Sequence, residues 1–331
     1  MPAPTGMPAP TGMPAPTGMS ERIVTLTLNP AVDIACTTPR VEPEHKLRTI
    51  GEHYDPGGGG VNVARVIHDL GGDARALILV GGATGLFYEE LLGGHGVPYD
   101  ALPIRGRTRI AINVREESTG REYRFVPEGP VIAPDEWQAV LTALETVEAG
   151  WIVASGSLPR GVPEDFYARA AAVAARRGQR FVLDSSGAPL RAALGHGVVL
   201  AKPSRREFEA LVSHTLPDRA AMEAAALKMV REGALEMLVV SMGGEGAFLA
   251  TASGGFFLPA VDVAVLSAVG AGDSFVAGMV LSLARGETPE IAFAWGMAVG
   301  AAAVASAGTA HPDPARVAEI FQRLRGASSQ A

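Results

Sequence analysis

The chain has 331 residues, of which 47% are hydrophobic and 19% charged, and its formal net charge is -7. This size supports one large core with at most a small appended sheet, and the negative charge argues against nucleic-acid binding, which normally needs a basic face. The only cysteine, Cys36, excludes an intrachain disulfide and a cysteine-based metal site. Without an apolar run of membrane-spanning length or a secretory signal pattern, we expect a cytoplasmic protein with no membrane partner.

The first 18 residues are three copies of MPAPTG. Such a short Pro/Gly/Thr unit cannot bury a hydrophobic face. We therefore predict a disordered segment over 1–18 and one folded domain over 19–331.

From Ile23 onward, short apolar runs alternate with helical stretches. Apolar runs of this kind are typical of strands covered on both faces, and the alternation predicts an α/β fold with a doubly wound, mainly parallel sheet flanked by helices. The predicted strands are 24–28, 76–80, 151–156, 181–186, 198–203 and 237–242. The predicted helices are 60–70, 135–148, 163–177, 217–232, 271–285, 289–306 and 314–325.

Two regions, 31–54 and 105–128, interrupt the alternation. Within the second, RIAINV (109–114) and REYRFV (121–126) read as strands joined by the turn EESTG. We predict that the two regions form a small separate β-sheet. Since ligands of α/β sheets bind beyond the carboxyl ends of the strands, a small sheet placed there would act as a lid.

The most informative motif is SAVGAGDSFVAGMV (267–280). Gly270, Ala271 and Gly272 lead into Asp273 at the start of an apolar helix, where backbone N–H groups stabilise an anion. A carboxylate beside such an anion site suits phosphoryl transfer, with a base for the hydroxyl proton and donors for the phosphate oxygens. These residues alone leave open that Asp273 only caps a helix.

A second motif is DPGGGGVNVARVIHDLGG (55–72). Its four glycines allow close approach of a ligand, and Asn62 in the following helix turn can bind a hydroxyl. A flexible turn before a core helix is the alternative. The spacing matches neither the Walker motif nor the dinucleotide fingerprint.

The two motifs, in this order, resemble the signatures of the ribokinase-like (PfkB-type) carbohydrate kinases, and the resemblance covers 23–325. Further segments resemble the branch that phosphorylates fructose 6-phosphate: TLTLNPAVD (25–33), EHKLR (44–48), YRFVPEG (123–129), SGSLPRGVP (155–163), VLDSSG (182–187) and KPSRRE (202–207). The fructose-1-phosphate and tagatose-6-phosphate kinases usually carry Lys at the position of Gly59, which favours fructose 6-phosphate.

The resemblance implies two groups of site residues. The sugar-phosphate group is Asp33, Lys46, Gly58, Gly59, Asn62, Arg109 and Ser155, with Arg48, Arg124 and Ser157 as weaker candidates. The ATP group is Lys202, Ser204, Glu207, Ser241, Gly243, Gly244 and Gly246.

Metal binding is implied with one departure. The family usually has Asn-x-x-Glu where this chain has Ser204 and Glu207, so Glu207 is expected to act on Mg²⁺ indirectly, with an altered metal requirement. Ser267, Val269 and the 303–310 region resemble a site where relatives bind a monovalent cation such as K⁺ through carbonyls.

The implied reaction is the glycolytic, ATP-dependent phosphorylation of the C1 hydroxyl of fructose 6-phosphate. Asp273 would be the base, and the N–H groups of Gly270, Ala271 and Gly272 would hold the transferring group. Fructose 1-phosphate, tagatose 6-phosphate or a nucleoside remain alternative acceptors, and a non-catalytic sugar-phosphate sensor or a scaffold protein are alternative classes. Pairing of the small sheets would give a homodimer.

Overall fold

The computed structural model describes residues 21–267, 269–306 and 312–328. The predicted disordered segment 1–18 lies outside them. In chain order the elements are β1 (Ile23–Thr27), β2 (Ala31–Thr38), β3 (Ile50–Gly57), α1 (Gly59–Asp69), β4 (Ala74–Val80), α2 (Gly82–Gly94), β5 (Tyr99–Pro103), β6 (Arg109–Glu116), β7 (Glu122–Phe125), α3 (Pro134–Leu144), β8 (Trp151–Ser155), α4 (Phe166–Arg176), β9 (Arg180–Asp184), α5 (Gly187–Ala193), β10 (Val198–Ala201), α6 (Arg205–Val212), α7 (Arg219–Arg231), β11 (Met237–Ser241), β12 (Gly246–Thr251), β13 (Gly254–Pro259), α8 (Ala271–Ala284), α9 (Pro289–Val304) and α10 (Pro314–Ser328).

The main sheet has the strand order β13-β12-β11-β10-β9-β8-β1-β4-β5. Neighbouring strands from β11 to β5 are parallel, whereas β12 and β13 add an antiparallel edge. The mainly parallel sheet expected from the sequence is thus confirmed.

Alternate residues of the central strands pack into two hydrophobic cores, one on each face of the sheet. In β1, Ile23 packs with the α1, α8, α9 and α10 side, and Val24 packs with the α3, α4 and α7 side. All five residues of β1 are buried, because helices cover both faces. None of the described helices is both long and apolar enough to cross a membrane.

The small sheet has the order β3-β2-β6-β7, with β2 and β6 parallel and the outer pairs antiparallel. Its β6–β7 turn is fixed by Glu116, whose Oε2 accepts a hydrogen bond of 2.6 Å from the Thr119 hydroxyl. A separate small sheet was predicted, with bounds of about 31–54 and 105–128, and it is present. β3 continues to Gly57, so part of the predicted glycine turn is a strand.

Several elements were not predicted. α2 contains four glycines and has weak amphipathic periodicity, and α5 and α6 are only seven and eight residues long. The β12–β13 hairpin directly follows the glycine segment 243–246, which reads as loop in the sequence. Helix ends also shift: the predicted 163–177 helix begins at Phe166, and the predicted 135–148 helix ends at Leu144.

Candidate active site

Polar side chains collect at the carboxyl edge of the main sheet. Ser155 and Asp184 end β8 and β9, Lys202 follows β10, and Ser241 ends β11. Because these strands are parallel, their carboxyl ends meet at one edge, where α/β proteins bind ligands. A larger cavity of about 920 Å³ lies at the opposite edge, beside Trp151 at the start of β8, but it contains none of the predicted site residues.

Asp273 lies in the first turn of α8 and is held from two directions. Asn62 Nδ2 donates to its Oδ2 at 2.9 Å, and Ser155 Oγ donates to its Oδ1 at 3.2 Å. The glycine-rich segment and the start of α8, which lie far apart in the chain, therefore meet at one site. Burial, together with the nearby negative charge of Asp184, raises the pKa of Asp273 to about 6, against the opposing effect of the two hydrogen bonds and Lys202. A carboxyl with this pKa suits a general base near neutral pH.

The glycine-rich segment places backbone where a side chain would not fit. Gly58 is the N-cap residue of α1, and Gly59 is its first residue. A Cβ on Gly59 would overlap Ser155 Oγ and lie 3.0 Å from Asp273 Oδ1, and one on Gly57 would overlap the Asp33 carboxylate. The close approach of this segment to both carboxylates explains why glycine is needed here.

Asp33 lies on β2 beside this segment. Burial raises its pKa to about 6, whereas Arg109 and Arg124 oppose the rise. Asn62 Oδ1 is also buried, with no hydrogen-bond partner among the described residues. Two ligand hydroxyls, one donating to this oxygen and one to Asp33, would satisfy both acceptors, so the arrangement fits a polyhydroxylated ligand.

Arg109 is bound to backbone in this structure. Its Nη1 donates to Pro127 O and its Nη2 to Asn29 O, both at 2.8 Å. Lys46 is exposed in the segment between β2 and β3, and Arg48 is exposed in the same segment. Lys46 and Arg48 stay predictions as site residues, whereas Arg109 and Arg124 act electrostatically on Asp33.

A cavity of about 580 Å³ lies on the other side of Asp273. Five of the predicted ATP-binding residues line it: Lys202, Ser241, Gly243, Gly244 and Gly246. Ala271 and Gly272, at the start of α8, line it as well, so free N–H groups of this helix end face the cavity. The size, the glycine-rich wall and the cationic Lys202 fit a nucleotide with its phosphates directed to α8.

Ser204 and Glu207 are occupied with each other rather than lining this cavity. Glu207 Oε2 accepts from Ser204 N and Oγ, both at 2.8 Å, and together they cap α6. The described residues contain no group of three or more His, Cys, Asp or Glu that could hold a metal ion. These residues are compatible with a magnesium ion carried mainly by nucleotide phosphates and water, and the indirect role of Glu207 stays a prediction.

The proposed monovalent cation site remains a prediction. Ser267 Oγ accepts from Val269 N at 3.2 Å. Ala268 between them and residues 307–311 lie outside the described part of the chain.

Asp184 is a site residue that the sequence analysis did not select. Its Oδ1 lies 3.4 Å from Lys202 Nζ, and burial raises its pKa against that cation. The sequence feature that could have identified Asp184 is its place near the carboxyl end of the predicted strand 181–186, because α/β proteins build their ligand sites at these strand ends. The structure adds that Asp184 acts electrostatically on Asp273.

Comparison with known proteins shows the family of this chain. The family model described as pfkB family carbohydrate kinase matches residues 26–316, most of the chain. The chain belongs to the pfkB family of carbohydrate kinases. This pfkB protein is an ATP-dependent sugar-phosphate kinase with a ribokinase-like fold, as its two motifs predicted.

Individual relatives of the pfkB protein include two kinds of phosphofructokinase. The ATP-dependent 6-phosphofructokinase isozyme 2 of Mycobacterium tuberculosis is 40% identical over 303 residues, covering 91% of this chain and 89% of the relative. The 1-phosphofructokinase of Escherichia coli is 32% identical over 314 residues, covering 92% and 98%. The crystal structure of phosphofructokinase-2 from Escherichia coli in complex with potassium has a TM-score of 0.89 at 37% identity, covering 92% and 99%.

Proposed function

We propose that the protein transfers the γ-phosphoryl group of ATP to the C1 hydroxyl of fructose 6-phosphate, giving fructose 1,6-bisphosphate and ADP. The observation that carries the proposal is the position of Asp273. It directly follows Gly272, which lines the nucleotide-sized cavity, and its carboxylate accepts a hydrogen bond from Asn62 beside the glycine-rich segment that approaches Asp33. A base between two substrates is the arrangement that direct in-line transfer requires.

In this mechanism the C1 hydroxyl gives its proton to Asp273 while its oxygen forms the new bond to the γ-phosphorus. The bond between that phosphorus and the bridging oxygen of ADP breaks, and ADP leaves with the electron pair. Backbone N–H groups of Gly270, Ala271 and Gly272 hold the charge that spreads over the transferring oxygens. Lys202, close to Gly272 and paired with Asp184, adds a positive charge on the same side.

Asn62 and Ser155 have a positioning role in this proposal. Their hydrogen bonds fix both carboxylate oxygens of Asp273 and favour its ionised form. Mg²⁺ bound with the nucleotide would neutralise phosphate charge, and Glu207 is the nearby acidic side chain that the family pattern assigns to it indirectly. A K⁺ site at Ser267 and Val269 is part of the proposal, as is a lid role for the small sheet, which would exclude water from the transfer.

The acceptor is proposed from the position of Gly59. Kinases that act on fructose 1-phosphate or tagatose 6-phosphate usually carry Lys there, and here even a Cβ would overlap Ser155 Oγ. The 1-phosphofructokinase among the relatives makes fructose 1-phosphate the second candidate. ADP release measured over fructose 6-phosphate, fructose 1-phosphate and tagatose 6-phosphate tests the proposal. A higher kcat/KM for either of the other two sugars than for fructose 6-phosphate would reject it.

We also propose a cytoplasmic homodimer formed through the small sheet. Tyr54, Ile34, Ile112 and Phe125 are register partners across all four strands and form one row. Three of them are exposed, with Phe125 at 60% and Tyr54 at 40%. A contiguous exposed apolar row of this kind favours a protein partner, and a second copy would cover it symmetrically.

A further inference from the structure

Two carboxylates lie side by side on one face of the small sheet. Asp33 on β2 and Asp55 on β3 are direct register partners in antiparallel strands, so their side chains share a face at a Cβ separation of about 5 Å. Asp55 is 5% exposed and Asp33 is half-buried. The negative charge of Asp55 at this spacing raises the pKa of Asp33, so a nearby cation is needed to favour the charged form of Asp33.

Arg65 on α1 supplies that cation. The residue is 1% exposed, and its Nη2 lies 3.4 Å from Asp55 Oδ1. Its charge also acts on Asp33. Removing one member of a buried charge pair leaves the other uncompensated, so each residue of this trio controls the charge state of its neighbours.

Other ionisable groups face the two carboxylates from several elements. Around Asp33 these are Arg109 on β6, Arg124 on β7 and Tyr88 on α2. Around Asp55 they are His53, whose Nε2 lies 3.3 Å from Oδ2, and His95, whose Nε2 lies 3.8 Å from Oδ1. Arg65 differs from these groups because it interacts electrostatically with both carboxylates. It lies on α1, the helix that also carries Asn62.

We propose that Arg65 and Asp55 are positioning residues for acceptor binding: Asp55 anchors Arg65, and Arg65, together with Arg109 and Arg124, favours the charged form of Asp33, which accepts hydrogen bonds from sugar hydroxyls. The inference rests on the proposed function, because it takes Asp33 as the sugar-binding carboxylate. It predicts that substitutions of Arg65 and Asp55 shift the pKa of Asp33 in opposite directions. Loss of Arg65 removes a cation and raises the pKa of Asp33, whereas loss of the Asp55 charge removes an anion and lowers it.

The test is the pH dependence of fructose 6-phosphate affinity, measured by calorimetry without ATP between pH 5 and pH 8. The parent protein, Arg65→Met and Asp55→Asn are compared in an Asp273→Asn background, so that Asp273 does not titrate. The midpoint of the affinity change should move to higher pH in Arg65→Met and to lower pH in Asp55→Asn. At pH 6 relative to pH 8, Arg65→Met should lose roughly twofold or more in affinity compared with the parent. The phosphate of the ligand titrates near pH 6 as well, but identically for every variant.

Two control variants separate charge from structure. Arg65→Lys retains the cation and should restore the parent midpoint. Asp69→Asn removes an exposed carboxylate on the same helix. The Asp69 charge is among the influences on Arg65 and not among those on Asp33, so this variant should leave the midpoint unchanged. Thermal unfolding shows whether each variant is folded. If Arg65→Met does not fold, the comparison of Asp55→Asn with Arg65→Lys still tests the inference. Unmoved midpoints, or shifts in the same direction, would overturn the inference. A parent protein that fails to bind fructose 6-phosphate at any pH would instead overturn the proposed function.

Discussion

Asn62 donates a hydrogen bond of 2.9 Å to Asp273, although 211 residues separate them in the chain. The bond joins the first turn of α1 to the first turn of α8, and both turns lie at the carboxyl edge of the main sheet. Each turn carries small residues that leave the backbone open to ligands. The proposed chemistry depends on this contact between the two helix starts, because it positions the carboxylate of Asp273.

Replacing Asp273 with Asn removes the proposed base while keeping the shape of the side chain. We expect kcat to fall by about 10²- to 10⁴-fold, because positioned proton transfer contributes about that much. Fructose 6-phosphate and ATP should still bind, as calorimetry would show. Turnover within a few-fold of the parent protein would rule out the assignment of Asp273.

The pKa of about 6 predicts an acid limb in the pH–rate profile. Asp273 must be ionised to accept a proton, so kcat should rise as the pH increases through about 6 and then level off. Asn62→Ala removes a hydrogen bond that favours the ionised carboxylate, so its acid limb should lie at higher pH. A steady-state profile with saturating substrates measures both limbs, and a limb unmoved in Asn62→Ala would contradict the role given to this bond.

Burial of the charge on Asp273 should also cost stability. Its folded-state pKa lies above the ordinary value of 3.8, so the cost is absent at low pH and grows until the pH passes about 6. Asp273→Asn should therefore be more stable than the parent at pH 8, by about 1 to 3 kcal/mol, and the advantage should be smaller at pH 5. Denaturant unfolding at the two pH values tests this, and equal stability at pH 8 would count against a buried charged carboxylate.

Gly59→Ala tests the close approach of the glycine turn to the active carboxylate. The added Cβ would overlap Ser155 Oγ and press on Asp273 Oδ1, so we expect a loss of at least about tenfold in kcat/KM for the acceptor. The matched control is Gly93→Ala, because a Cβ at this helical position in α2 meets nothing within 4 Å. Steady-state kinetics of both variants test this. A large loss in Gly59→Ala with only a small effect in Gly93→Ala would support the geometry, and unchanged kinetics in Gly59→Ala would contradict it.

The apolar row on the small sheet predicts dimerisation. Phe125→Ser should shift the molar mass in light scattering from that of a dimer toward that of a monomer, because it removes a large exposed apolar side chain from the row. Leu86→Ser, at a position on α2 that is even more exposed but lies outside the row, should leave the dimer intact. A monomeric parent protein, or equal dissociation of both variants, would refute the proposed interface.

The local sequence determined the fold class and the two chemical motifs of this protein. Buried strands such as β1 consist of Ile, Val, Leu and Thr and are buried at every position. The segments around Asn62 and Asp273 combine glycines with a polar residue at a helix start, so short-range patterns suffice to find them. Elements without a strong period, such as α2 and the β12–β13 hairpin, were missed because tertiary packing rather than local preference stabilises them.

Only the tertiary structure decided which polar residues act together. Asp184 reaches Lys202, and Arg65 reaches Asp55, because strand ends and a helix face converge in space; neither pairing leaves a periodic trace in the chain. The charges of buried carboxylates such as Asp33 and Asp273 depend on burial and on neighbours from distant segments. Electrostatic environment is a property of the folded arrangement, which explains why the sequence could name the carboxylates but not their protonation.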